Sequence, residues 1–147
     1  MNYSIEFAQK LSHAYANICR PLCHELNLPQ TAFDILMFLA NNPQYKTARD
    51  IVEVRKIKAN LVSVNVDKLV KEGYLERESQ EDDRRKIHLQ CTEKATPIIG
   101  RGRELQETFF EVLLENVSTE QRENFLKTIE VIEENLDLMK NKKEEGN

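Results

Sequence analysis

Along the first stretch of the chain apolar residues recur at steps of three and four, so that Ile5, Ala8, Leu11, Tyr15, Ile18, Leu22 and Leu26 share one helical face. The spacing predicts a helix over 4–26 with a face to bury. Leu28-Pro29 breaks the pattern, and Ala32, Ile35, Leu36 and Leu39 restart it as far as Asn41-Asn42-Pro43. Thr47, with Asp50 three positions on, reads as the N-cap of a short helix running through Ile51 to Val54. Lys58-Ala59-Asn60 opens another, whose Val62, Val66, Leu69 and Val70 fall on one face. It ends at Gly73, where a left-handed terminal glycine is expected. Two short helices joined by Arg55-Lys56-Ile57 point to a helix-turn-helix.

The period changes from helical to alternating after Gly73. Residues 74–78 and 87–91 alternate as strands, and Ser79 to Lys86 between them predicts a hairpin with a charged tip. Thr92 is the expected N-cap of a long helix to Asn116, carrying Ile98, Ile99, Leu105, Phe109, Val112 and Leu113. Pro97, Gly100 and Gly102 weaken its first turns, so the helix is expected to bend or its regular part to begin near Pro97, and the three residues suit a compliant junction or a tight helix crossing. Ser118 and Gln121 form a capping box for a last helix striped by Phe125, Ile129, Ile132, Leu136 and Met139. Lys140 to Asn147 are expected to fray.

Composition changes the picture through its distribution. The formal net charge is −4, which by itself disfavours nucleic acid. Yet residues 46–71 hold seven Lys/Arg (Lys46, Arg49, Arg55, Lys56, Lys58, Lys68, Lys71) against three acids, whereas residues 104–147 hold twelve acids against five bases. A basic middle suits phosphates, and an acidic end suits solvent or a protein partner. No apolar run approaches the length of a bilayer span, and Met1-Asn2-Tyr3-Ser4 shows no basic segment leading into an apolar one, so a cytoplasmic protein without membrane contact is expected. Three cysteines at irregular spacing argue against a disulfide framework. The chain has four glycines, none in a phosphate-binding spacing, and neither an HExxH motif nor a nucleophile elbow, so the reading is not an enzyme and needs no cofactor.

If the fourth helix buries Val62, Val66 and Leu69, it turns Asn60, Ser63, Val64, Asp67 and Lys68 outward, where a major groove can receive them with Lys58 at the helix start. Asn60 and Ser63 can hydrogen-bond base edges or phosphates, Lys68 neutralises phosphate, and Val64 could touch a thymine methyl. Arg84, Arg85 and Lys86, behind Asp83, would suit the minor groove. The competing reading of both features is a solvated charged surface.

The stretch Leu69-Val70-Lys71-Glu72-Gly73-Tyr74-Leu75-Glu76-Arg77, then Asp83-Arg84-Arg85, then Cys91-Thr92-Glu93-Lys94 resembles the MarR family of winged-helix transcriptional regulators. The family pattern is an Asp-x-Arg wing tip followed seven residues later by a Leu-Thr pair, and Thr92 stands seven after Arg85. Cys91 replaces the usual leucine, and Ala95 stands near a position where glycine is common. The resemblance covers nearly the whole chain. It implies a mainly α protein with a small β-hairpin wing: a winged helix-turn-helix lobe over 28–92, dimerisation helices over 1–27 and 93–140, and a disordered tail over 141–147. It further implies a homodimer on a pseudo-palindromic operator in double-stranded DNA, acting as a repressor and released by a small aromatic or phenolic effector. Arg85 is then the residue inserted in the minor groove, with Asp83 orienting it. The effector cleft is expected where the first, second and fifth helices meet, with Tyr15, Cys19, Phe33 and Met37 as walls and Arg101 or Arg103 as anion partners.

Two alternatives stand beside this. One is a winged helix used for protein contacts. The other is a thiol- or metal-sensing regulator through Cys19 and Cys23, which share a helical face; His24 is turned about 100° away, so a closed metal site is incomplete and no resident metal is expected.

Overall fold

The computed structural model describes residues 3–80 and 82–146; the side chains of Tyr3, Ser4, Asp83, Arg84, Arg85, Glu144 and Glu145 lie outside that description. Its elements run α1 (Tyr3–Leu26), α2 (Gln30–Asn41), α3 (Ala48–Arg55), α4 (Ala59–Lys71), β1 (Leu75–Gln80), β2 (Asp83–Cys91), a 3-10 turn (Glu93–Ala95), α5 (Thr96–Leu113) and α6 (Thr119–Glu145). This is the expected order: three helices, a recognition-type helix, a hairpin and two further helices. The chain divides into two units, Met1–Phe110 and Glu111–Asn147.

The first unit is organised around α2, which is apolar on more than one side and is therefore covered on more than one side. Ile35, Leu36 and Leu39 join Ile51 of α3, Val62, Val66 and Leu69 of α4, Leu75 and Leu89 of the hairpin, and Ile98 and Ile99 of α5 in the main core. Phe33 and Met37 instead meet Cys19, Leu22 and Cys23 of α1 in a second cluster. Burial along α1 is graded: Ile5 is 61% exposed, Leu11, Tyr15 and Ile18 are half-buried, and Leu22 is 6% exposed. Only the second half of the predicted face is covered by this chain.

Local signals set the helix ends. Asn27, at φ 52°, closes α1, and Pro29 stands before α2, where its missing N–H costs nothing. Thr47 Oγ1 accepts from Asp50 N at 3.1 Å, and Asp50 Oδ2 accepts from Thr47 N at 3.0 Å and Lys46 N at 2.9 Å, so the predicted N-cap is a full capping box. Gly73 takes φ +83°, as its position after α4 requires. Ser118 and Gln121 exchange the expected pair of bonds, Ser118 Oγ accepting at 3.2 Å and Gln121 Oε1 at 3.0 Å.

The expectations at Thr92 and at the end of α6 are revised, and those at the start of α5 are sharpened. Thr92 makes no side-chain cap; its hydroxyl donates to Gly73 O at 2.5 Å, and the 3-10 turn follows it. The regular α-helix begins at Thr96, beside Pro97 as expected, because Pro97 fits a first helical turn and would break an interior one. Gly100 and Gly102 have different reasons. A Cβ on Gly100 would meet nothing within 4 Å, whereas one on Gly102 would lie 2.5 Å from Met37 Sδ and 3.2 Å from Phe33 Cζ. Gly102 thus permits a close crossing of α5 over α2. Finally, α6 continues to Glu145, through the stretch expected to fray.

In the second unit none of the described side chains of α6 is buried, and of its apolar stripe only Ile129 is half-buried. Phe125, Ile132, Leu136 and Met139 are 51–63% exposed.

Candidate nucleic-acid interface

The two faces of α4 are chemically distinct. Val62, Val66 and Leu69 are 0–3% exposed. Asn65, also on the inner side, is satisfied by donating to Leu61 O at 2.7 Å and is unavailable to a base. On the outer side Asn60, Ser63, Val64 and Asp67 are exposed as expected, with Lys58 exposed at the helix start. Lys68 is half-buried, its Nζ 2.8 Å from Glu72 Oε1, and Asp67 pairs with Arg77 of β1. Helical spacing adds Leu61 and Lys71, both exposed, which the sequence reading left out although Lys71 stands four residues after Asp67.

The hairpin is more irregular than a strand–tip–strand pattern. Leu75 to Ser79 pair with Cys91 to Ile87 in order, after which Gln80 pairs with Asp83. Arg84, Arg85 and Lys86 therefore fall between paired positions, in a bulged stretch of β2 rather than at a free tip. The strands reach further than alternation showed because a bulge interrupts the period. Asp83, Arg84 and Arg85, named as wing residues, have side chains outside the described ones; Lys86 is exposed.

The root of the hairpin is fixed to the helices. Leu89 N donates to Lys46 O at 2.7 Å, Thr92 N to Tyr74 O at 3.1 Å, and Lys94 Nζ to Glu72 O at 2.6 Å while lying 4.8 Å from the Tyr74 ring centre. Arg77, missed from sequence, adds a tie between the hairpin and the outward side of α4. A groove of about 420 Å³ lies between them, with Val52, Ser63, Arg77 and Ile87 among its walls. Of the basic stretch, Lys46, Arg49, Lys56, Lys58 and Lys71 are exposed. Arg55 reaches Asp34 Oδ2 at 3.7 Å; burial raises the Asp34 carboxyl above its ordinary pKa, against the hydrogen bond from Gln30 and the charge of Arg55.

The residues assigned to an effector cleft divide in two. Tyr15, Cys19, Phe33 and Met37 come together, but as packed core: Cys19 and Phe33 have no exposed surface and Met37 has 2%. The Tyr15 ring meets Phe109 edge-on at 5.3 Å, and burial pushes its hydroxyl up to about 12. Gln106, missed from sequence, donates to Tyr15 Oη at 2.9 Å and accepts from Asn41 at 3.0 Å. Both arginines are engaged at the surface, Arg101 with both oxygens of Glu25 at 2.9 and 2.6 Å, Arg103 with Asn41 Oδ1 and Ala40 O at 3.1 Å each.

The thiols are held in their neutral form. Burial raises Cys19 and Cys91 above the ordinary thiol pKa and pushes Cys23 up to about 11. A neutral thiol is a poor nucleophile and a poor metal ligand. His24 is exposed, whereas Cys19 and Cys23 are buried.

Residues 26–86 match the model of the MarR family. Among solved structures the chain is similar to a MarR protein from Peptoclostridium difficile DA00132, at 21% identity over 94% of this chain and 90% of that one, with a TM-score of 0.79. A MarR transcriptional regulator from Methanosarcina mazei Go1 is 20% identical over 95% and 99% of the two chains, with a TM-score of 0.78. A MarR family transcriptional regulator from Listeria monocytogenes, solved in complex with a 26mer DNA, is 20% identical over 92% and 90%, with a TM-score of 0.81. No curated protein matches the chain. Residues 26–86 thus carry the sequence pattern of the MarR family, and the chain shares the winged-helix fold of these solved structures.

Proposed function

We propose that this chain is a homodimeric, sequence-specific DNA-binding regulator that represses transcription from a pseudo-palindromic operator and is released by a small aromatic acid. The observation that carries the DNA reading is the outer face of α4, exposed and polar at Asn60, Ser63, Asp67 and Lys71 on a lobe whose inner face is fully packed. The structural neighbour from Listeria monocytogenes was solved with DNA, which supports the same reading. In this reading α4 enters the major groove, Lys58 and Lys68 meet phosphates, and Asp83, Arg84, Arg85 and Lys86 lie at the flanking minor groove. The Lys68–Glu72 pair is no obstacle, since such partly exposed pairs contribute little and a phosphate can replace the carboxylate.

Dimerisation rests on the uncovered stripes of α1 and α6, for apolar faces of this extent ordinarily find a partner. Effector release rests on the cluster of Tyr15, Cys19, Phe33 and Met37 at the junction of α1, α2 and α5. Because that cluster is filled, an effector enters only by favouring a conformation in which it opens. Among the described residues no helix is long and apolar enough to cross a membrane, in keeping with work on cytoplasmic DNA.

Selection of bound fragments from random duplexes tests the proposal. A shared inverted repeat is expected, and Arg85→Ala should weaken its binding by about 1–3 kcal/mol at matched salt. Lys68→Ala should weaken all duplexes and reduce the salt slope by about one. Recovery of no common sequence, together with binding that only tracks salt, would leave the winged helix as a protein-contact module.

A further inference from the structure

The outer face of α4 also carries an unusual feature for a polar surface. Val64 is 65% exposed in its middle and Leu61 45% exposed at its flank. Around them the charged groups are engaged: Asp67 with Arg77, and Lys68 with Glu72 at 2.8 Å. Among the described residues, the first two turns are thus left with Asn60, Leu61, Ser63 and Val64 as outward side chains that make no ion pair or side-chain hydrogen bond. Guanine is most often read by a bidentate arginine or lysine on O6 and N7. Ala59–Lys71 holds no arginine, and its one lysine besides Lys68 is Lys71 in the last turn, while Lys58 precedes the first. What the free side chains offer is an amide, matched to adenine N6 and N7, and aliphatic methyls, matched to the C5 methyl of thymine.

We infer that α4 reads an A·T core in each half-site, with Val64 packed on a thymine C5 methyl, Leu61 supporting that contact, and Asn60 on an adenine edge. The inference rests on the DNA-binding reading above and deepens it. It also accounts for the Asp67–Arg77 pair: with its carboxylate neutralised by the hairpin, Asp67 does not repel the phosphates on either side of the groove.

Deoxyuridine lacks only the C5 methyl of thymidine, so replacing one thymine at a time in a selected duplex isolates the contact. At one position in each half-site the replacement should weaken binding about threefold to tenfold, the range expected for removing a buried methyl. Val64→Ala should bind the thymine and deoxyuridine duplexes equally at that position and keep the parent's response to deoxyuridine elsewhere. Because Val64 is exposed, this variant should melt like the parent. If specific binding is found but no thymine is sensitive, or if Val64→Ala keeps the parent's sensitivity at every position, the methyl contact is refuted while the DNA-binding reading stands. If selection yields no sequence preference, both fall together.

Discussion

Helices α2 and α6 are both striped with large apolar residues, yet they end in opposite situations. In α2 Phe33, Ile35 and Leu36 have no exposed surface, because α1, α3, α4, α5 and the hairpin all supply partners from the same chain. In α6 the stripe of Phe125, Ile132, Leu136 and Met139 stays 51–63% exposed. The first helix is covered within its own unit; the second keeps its stripe exposed. Apolar periodicity therefore records how much surface must be covered, without recording whose surface covers it.

The largest effect that sharpens this contrast comes from α2. Phe33→Ala empties a site with no exposure and should cost about 3–5 kcal/mol in urea unfolding. Ile132→Ala, measured where the chain is monomeric, should fall within about 0.5 kcal/mol of the parent, as surface substitutions do. A large loss at Ile132 under those conditions would mean that α6 is covered within one chain.

Next in size is the interface itself. Leu136→Glu places a charge on the α6 stripe and should weaken self-association at least about tenfold, read by sedimentation across a dilution series. Unfolding of the lobe at high dilution should be unaffected. Self-association equal to the parent's would move the interface away from this stripe.

How much of this contrast the sequence held depends on which residues carried it. The capping boxes at Thr47 and Ser118 and the left-handed Gly73 were legible because each depends on neighbours within a few residues. The buried face of α4 was legible for the same reason, through its spacing. The Asp67–Arg77 and Arg101–Glu25 pairs, and the Gln106 bridge between Asn41 and Tyr15, join residues from separate elements and leave no local pattern. The bulge that holds Arg84 to Lys86 also escaped, since an inserted stretch removes the alternation by which a strand is read. The four residues proposed as cleft walls lie together, yet only packing could show that they fill the space between them.

A smaller effect tests the local side of the account. Thr47→Ala removes a side-chain cap whose acceptor bond is 3.1 Å and should cost about 1 kcal/mol in thermal unfolding, while leaving self-association untouched. The smallest effect separates the two glycines of α5. Gly100→Ala enters open space and should stabilise the chain by up to about 1 kcal/mol through helix propensity. Gly102→Ala should lose that gain, since its methyl would stand 2.5 Å from Met37 Sδ. Equal gains at both sites, seen in paired melting curves, would show that α5 does not cross α2 closely.

The central claim is that the lobe meets DNA and the uncovered helices meet each other, so both must be seen in one complex. Sedimentation equilibrium of the protein with a fluorescent duplex carrying a selected inverted repeat measures the two together. The account predicts one complex holding twice the 17.2 kDa chain mass per duplex, formed on the repeat and lost when either half is scrambled at the same salt. A complex with a single chain per duplex, or equal binding to the repeat and its scrambled form, would contradict it.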